Sequence, residues 1–213
     1  MLEIWWVRHG TTDWNTVKRW QGHTDLPLNE NGRHLASLLA PRLKGIPFDE
    51  CWSSDLRRSW ETAQIALPGR KIELDNRLRE VPMGHLEGKT WDEVSPEVHR
   101  EVEDWWQDPF GRPFPGSDES LSDVSERVRA WRLERPSKGR IIVFTHGGII
   151  RCAMWDVVGR PRPDQPWSME VGNTGIVRIR YGKESAALVC FNDMSHIENS
   201  WDLPPTQNLP GSK

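Results

Sequence analysis

Residues 141–148 read IIVFTHGG, and the rest of the fold can be inferred outward from them. The unbroken apolar run from Ile141 to Phe144 is typical of a central parallel strand that is buried on both faces. Residues 148–158 then follow as a predicted helix. In open parallel sheets, ligands bind just beyond the carboxyl ends of the strands. His146, which stands between strand and helix, is therefore predicted to line a ligand crevice.

A second His-Gly pair occurs in the same context near the start of the chain. Residues 2–10 read LEIWWVRHG, a short apolar run that ends in Arg8-His9-Gly10. Two histidines placed in this way can face each other across one pocket. Arg8 adds a fixed cation beside the first of them, and guanidinium groups pair well with phosphate oxygens. The two segments together predict a pocket that suits a phosphoryl group.

The remaining pattern alternates strands with helices. Short strands are predicted at 48–53 and 71–74, a helix at 56–67, a helix capped by Ser120, and a terminal strand pair at 175–181 and 187–191. Such alternation predicts an α/β domain, here a three-layer sandwich whose mostly parallel central sheet is flanked by helices. We expect a single domain over residues 1–201. Residues 202–213, rich in Pro, Asn and Gly, are expected to form a flexible tail.

Composition excludes several functional classes. The net charge of −3 and the pI near 6.2 give no basic surface for nucleic acid or an anionic membrane. No apolar run approaches the ~20 residues that span a bilayer, and a strand beginning at Leu2 leaves no room for a signal peptide. Cys51, Cys152 and Cys190 are predicted to be buried free thiols in a cytoplasmic protein. A monomer and a homodimer both remain open.

The chain resembles the histidine phosphatase superfamily, the phosphoglycerate mutase-like proteins, from residue 2 to about 197. The matching segments are RHGTTDWN at 8–15, QGHTDLPLN at 21–29, SSDLRRSWETA at 53–63, LREVPMG at 78–84, ESL at 119–121 and THG at 145–147. Thr11 departs from the pattern, because the family usually has Glu or Gln there. The resemblance implies the family's fold and a phosphohistidine intermediate, with no cofactor.

Several residues are candidates for phosphoryl chemistry. A neutral imidazole can attack phosphorus, and the resemblance implies that His9 is this nucleophile. Arg8 and Arg58 can compensate the charge of the phosphoryl oxygens, and His146 is expected to add charge as an imidazolium. The resemblance also implies that Glu80 is the general acid and base.

Further residues are candidates for binding phosphate or substrate. Asn15 can donate a neutral hydrogen bond, and the backbone N–H of Gly147 opens a helix, which is a natural site for an anion. The resemblance places Gln21 and Gly22 in a loop that lines the phosphate or ester group. No cluster of Cys and His has the ligand spacing of a zinc site, so no metal is expected.

One rival motif has to be weighed. Cys51 and Arg57 have the Cys-five-Arg spacing of cysteine-dependent phosphatases. Loops of that kind contain glycine so that backbone amides can surround the phosphate. This segment has no glycine, and Asp55 would repel a dianion. The cysteine mechanism is therefore disfavoured.

Three functions remain open: a phosphomonoesterase, a cofactor-dependent phosphoglycerate mutase and a non-catalytic phosphoester-binding protein. A mutase binds a second anionic group, in this family usually through paired arginines in a lid after the acid/base residue. Residues 89–126 instead contain eleven carboxylates, only three Lys or Arg residues and no Arg-Arg pair. A lid of this charge should disfavour polyanionic substrates. We therefore expect a phosphatase that acts on a small phosphorylated metabolite.

Overall fold

The computed structural model describes residues 1–162 and 168–197. Its six strands are β1 (Leu2–Arg8), β2 (Glu50–Ser53), β3 (Glu73–Leu74), β4 (Gly139–Thr145), β5 (Ile176–Tyr181) and β6 (Ala186–Asp193). Its α-helices are α1 (Asp13–Thr16), α2 (Glu30–Leu43), α3 (Arg57–Ala66), α4 (Pro96–Trp105), α5 (Leu121–Leu133) and α6 (Gly147–Val158). Single 3₁₀ turns occur at Asn76–Leu78, Gly84–Leu86 and Trp91–Glu93.

The strands form one mixed sheet in the order β3-β2-β4-β1-β5-β6. The neighbours β3, β2, β4 and β1 are parallel, whereas β5 and β6 extend the sheet as an antiparallel pair. The expected α/β fold with a mostly parallel sheet is therefore confirmed. The strands β4 and β1, which carry the two His-Gly pairs, lie side by side in the middle of the sheet.

Both faces of the sheet are covered, which explains why β1 is buried along its whole length. Successive side chains of a strand point to opposite faces. Trp5 packs on the face covered by α2 and α3, whereas Trp6 packs on the face covered by α4, α5 and α6. Helix α6 follows the central strand β4 directly and packs against the sheet, with its first turn at the carboxyl end of β4.

Helix α5 begins where the sequence predicts. Ser120 is its N-cap and forms a capping box with Asp123, in which each side chain accepts from the other residue's backbone N–H. Such a cap stabilises the first turn by about 1 kcal/mol. The cap fixes the point at which α5 begins after the loops and short helices of residues 84–119.

The three cysteines differ in burial. Cys51 and Cys152 are buried, but Cys190 is only partly buried, because it lies on the edge strand β6. The expected tail at 202–213 lies outside the described residues. Within the described ranges, no helix is both long enough and apolar enough to cross a bilayer.

Candidate active site

The two histidines lie together at the carboxyl ends of β1 and β4. The His9 N–H donates to the Thr145 carbonyl at 2.9 Å, so the hydrogen bonding between the two strands continues one residue past the end of β1. The rings of His9 and His146 meet edge to face, with centroids 5.2 Å apart and planes inclined at 60°. Both side chains are buried, His9 with 3% and His146 with 0% of their surface exposed.

The hydrogen bond of His9 fixes its tautomer. Nδ1 lies 2.6 Å from the carbonyl oxygen of Gly10. Because a carbonyl can only accept, Nδ1 carries the proton, and the lone pair of the neutral ring is on Nε2. Burial, together with the charges of Arg58 and Arg8, lowers the pKa of His9 well below its usual value. Near neutral pH, His9 is therefore a neutral imidazole with an available lone pair on Nε2.

The pKa of His146 favours the neutral ring when no anion is bound, and the expected imidazolium stays a prediction for the complex with phosphate. Burial, Arg58 and His9 lower its pKa well below the usual value. Its Nε2 lies 2.9 Å from the hydroxyl oxygen of Ser54, which follows β2. Ser54 lies in the matching segment 53–63 but was not selected as a site residue, because its hydroxyl is brought to His146 only by the pairing of β2 with β4.

Arg8 and Arg58 form the cationic part of the site. Arg8 donates from Nη1 to the Val171 carbonyl at 2.6 Å, and Arg58 donates from Nη1 and Nη2 to the Thr24 and Gly22 carbonyls, both at 2.8 Å. Burial lowers the pKa of each arginine to about 10, so both remain charged near neutral pH. Among the described residues, neither Nε–H has a hydrogen-bond partner.

Glu80 lies against the first turn of α6. Its Oε1 accepts from the Gly148 N–H at 3.0 Å and from the Val81 N–H at 2.9 Å. A Cβ at position 148 would collide with this carboxylate, so the close approach requires glycine. The carboxylate thereby occupies the helix N-terminus, where backbone N–H groups favour negative charge.

One pocket collects most of the sequence candidates. Its space not filled by protein atoms, including the part open to solvent, is about 600 Å³. Its lining includes these predicted residues: Arg8, His9, Asn15, Gln21, Gly22, Arg58, Glu80 and Gly147. His146 reaches the site through its ring contact with His9. The structure thus brings all the candidates together, while their chemical roles remain predictions.

The pocket also contains residues that sequence reasoning missed. These are Trp20, Met83, Gly148 and Arg151. Arg151 lies one helical turn after Gly147, and residues at that spacing share a face of the helix. That spacing is the signal that could have identified it. Its Nε donates to the Met169 carbonyl at 2.6 Å, two residues before the carbonyl that holds Arg8.

Several residues that the sequence analysis considered lie away from the pocket. No residue of 89–126 is part of the described lining, so the eleven carboxylates can act on a ligand only at longer range. Of the tryptophans, only Trp20 is among the lining residues described. The Sγ of Cys51 lies 3.6 Å from Arg70, and burial raises the pKa of this thiol, which disfavours a thiolate nucleophile.

Comparison with known proteins identifies the class. The sequence profile of the histidine phosphatase superfamily (branch 1) matches residues 4–194. The chain belongs to this superfamily.

Its relatives include proteins with mutase and phosphatase names. Phosphoglycerate mutase-like protein 4 of Arabidopsis thaliana is 35% identical over 209 residues, which cover 93% of this chain and 88% of the plant protein. Bacillus stearothermophilus YhfR has a similar structure, with a TM-score of 0.82 and 31% identity, over 93% of this chain and 100% of YhfR. A mutant phosphoserine phosphatase from Entamoeba histolytica, in complex with phosphoserine, gives a TM-score of 0.81 at 27% identity, with 93% and 100% covered.

Proposed function

We propose that this protein is a phosphomonoester hydrolase that acts on small phosphorylated metabolites through a phosphohistidine intermediate. The observation that carries the proposal is the hydrogen bond from His9 Nδ1 to the Gly10 carbonyl. It leaves the lone pair of Nε2 available beside two buried guanidinium groups. Membership of the superfamily and the phosphatases among the structural neighbours support the same reading.

In the first step, His9 Nε2 attacks phosphorus and the bond from phosphorus to the ester oxygen breaks. Phosphoryl transfer depends mainly on in-line positioning and on compensation of charge at the equatorial oxygens. The unpaired Nε–H groups of Arg8 and Arg58 are suited to donate to those oxygens. The N–H of Gly147, in the first turn of α6, is a further candidate donor.

Glu80 completes the proposed cycle. As the acid it gives a proton to the leaving alkoxide, and as the carboxylate it takes a proton from the water that attacks the phosphohistidine. The P–N bond then breaks, inorganic phosphate is released and His9 returns to its neutral form. The arrival of a phosphate dianion beside His146 favours the protonated form of this ring, since a nearby negative charge raises the pKa of a histidine. No metal takes part in this proposed cycle.

A cofactor-dependent mutase is the second candidate, and the names of several relatives favour it. The lining described here includes three arginines, of which Arg8 and Arg151 are tied to carbonyls of the 169–171 segment. A mutase has to hold a second anionic group and keep water from the phosphohistidine. The absence of a further Lys or Arg among the described lining residues supports hydrolysis over transfer.

The proposal is tested by turnover of p-nitrophenyl phosphate, followed by a screen of phosphorylated metabolites with purified protein. We expect hydrolysis of monophosphates without added 2,3-bisphosphoglycerate. Isomerisation of phosphoglycerate that depends on 2,3-bisphosphoglycerate would establish the mutase instead. Binding of phosphoesters without turnover would establish the non-catalytic binder.

A further inference from the structure

Arg127 on α5 holds the segment that carries Glu80. Its Nη1 donates to the carbonyls of Arg77 at 2.6 Å and Arg79 at 2.8 Å, and its Nη2 donates to the carbonyl of Glu80 at 3.0 Å. One planar group thus contacts three carbonyls within four residues of chain. Such a contact fixes the path of residues 77–80 relative to α5.

The remaining donors of Arg127 are taken by Glu119. Nε donates to one carboxylate oxygen of Glu119 at 2.8 Å, and Nη2 donates to the other at 3.1 Å. A guanidinium has five N–H donors, and these five contacts account for all of them. The side chains of Arg127 and Glu119 are only 14% and 24% exposed. Arg127 therefore has no donor left for a substrate and can act on the site only through other residues.

The backbone of Glu80 is held from a second side as well. Nε2 of His23 lies 2.7 Å from the same carbonyl oxygen that Arg127 contacts. A fixed carbonyl fixes the start of the Glu80 side chain, whose carboxylate then reaches the Gly148 N–H. Misplacement of a reacting group by about 1 Å can cost on the order of 100-fold in rate.

We propose that Arg127, with Glu119 as its counter-ion, is the positioning residue for the Glu80 carboxylate. The consequence for catalysis rests on the proposed role of Glu80 as acid and base. The positioning does not depend on that role, because it concerns only where the carboxylate lies. The proposal also gives the Glu-Ser segment at 119–120 two functions, since Ser120 caps α5 and Glu119 orients Arg127.

Arg127→Lys tests the proposal by retaining the charge. An ammonium group has three donors and no planar fork, so it cannot serve three carbonyls and a carboxylate together. Against an alkyl phosphate such as glycerol 3-phosphate, whose leaving group needs a proton, we expect kcat to fall about 10- to 100-fold. Against p-nitrophenyl phosphate, kcat should change little, and KM should change little for both substrates.

Two further variants serve as an independent test and as a control. Glu119→Gln removes the counter-ion of Arg127 and should show the same selective loss of activity. It tests the proposal independently if Arg127→Lys folds poorly. Arg129→Gln is the matched control, because Arg129 is an exposed residue of the same helix that pairs only loosely with Glu126, at 3.7 Å. Equal slowing of both substrates in Arg127→Lys and Glu119→Gln, or no slowing of either, would overturn the proposal and leave Arg127 as a structural brace.

A second measurement does not depend on turnover. The Gly148 N–H donates to Glu80, so its amide resonance in a ¹H–¹⁵N spectrum should shift as Glu80 titrates. In Arg127→Lys that shift should lose most of its amplitude, whereas in Arg129→Gln it should be retained. A full shift in Arg127→Lys would overturn the positioning. If the unmodified protein hydrolyses no phosphoester, the proposed function fails and the amide titration alone still decides.

Discussion

The ring of His9 meets the ring of His146 edge to face, with centroids 5.2 Å apart, although 136 other residues lie between them along the chain. The contact follows from the parallel pairing of β1 with β4, in which Arg8 lies opposite Thr145. Each histidine is the next residue after one of these partners. The register of β1 and β4 therefore brings the two histidines together. The chemistry then depends on which of the two rings attacks phosphorus.

We expect His9 to be the nucleophile. His9→Ala should reduce hydrolysis of p-nitrophenyl phosphate by about 1,000-fold or more, because the covalent route is lost. Brief incubation of the unmodified protein with a labelled substrate should give an acid-labile phosphoenzyme that His9→Ala does not form.

Cys51→Ser is the control for the rival cysteine mechanism. It should retain activity, since Cys51 is buried beside Arg70 and its pKa is raised. Near-full turnover in His9→Ala together with loss in Cys51→Ser would show that the cysteine is the nucleophile.

We expect Glu80→Gln to separate substrates by leaving group. The amide can keep an acceptor near the Gly148 N–H but cannot donate a carboxylic acid proton. Alkyl phosphates should slow by about 100-fold or more, and aryl phosphates, whose leaving groups need little protonation, should slow much less. Kinetics with a series of leaving groups measures the difference, and uniform slowing would argue that Glu80 has only a structural role.

Features that depend on neighbouring residues could be predicted from the sequence, whereas features that depend on contacts between distant segments could not. The apolar run at 141–144 is sufficient to predict a central strand, because burial on both faces demands it. Arg151 lies one helical turn after Gly147, so helical spacing from Gly147 could have predicted that Arg151 lines the pocket. Ser54 and Arg127 could not be predicted in this way, because their contacts depend on β-strand pairing and on the packing of α5 against residues 77–80.

The charge on His146 could not be predicted from sequence for a related reason. Its neutral form results from burial and from the nearby Arg58, which comes from a different helix. The low pKa has a consequence for stability. A histidine that is neutral when folded but protonates at pH ~6.5 when unfolded makes the unfolded state bind more protons below that pH. The free energy of unfolding must therefore fall as the pH decreases from 6.5 toward the folded pKa.

We expect His146→Asn to reduce this pH dependence. Below pH 6.5, each such histidine contributes a slope of up to about 1.4 kcal/mol per pH unit. Urea unfolding between pH 7 and pH 5 should show a shallower fall for His146→Asn than for the unmodified protein. His34→Asn, an exposed position on α2, serves as the control and should leave the slope unchanged. An identical slope in His146→Asn would contradict the neutral assignment.

We expect catalysis to need no metal ion. Within the described residues, no group of three or more His, Cys, Asp or Glu side chains is placed to hold one, and arginines are available to compensate the phosphoryl charge. Turnover of p-nitrophenyl phosphate should survive prolonged dialysis against EDTA. A loss of activity that Mg²⁺ or Zn²⁺ specifically restores would show that the prediction is wrong.

The final prediction concerns substrates with two phosphates. We expect the first phosphate to bind at Arg8 and Arg58. Arg151 is the third arginine of the lining, and the lining described here offers no further Lys or Arg to a second phosphate. Outside the pocket, residues 89–126 contain eleven carboxylates. At physiological salt the Debye length is ~8 Å, so only the carboxylates near the mouth can oppose a second phosphate.

Fructose 2,6-bisphosphate should therefore give a lower kcat/KM than fructose 6-phosphate, which has a similar body and one phosphate fewer. Part of the deficit arises from the missing cation and should persist at any salt concentration. The part that arises from the carboxylates should shrink as ionic strength rises, because salt screens exposed charges. Kinetics of both substrates over a range of NaCl concentrations separates the two contributions. A bisphosphate preferred over every monophosphate tested, at any salt, would contradict the prediction and favour a mutase-like site.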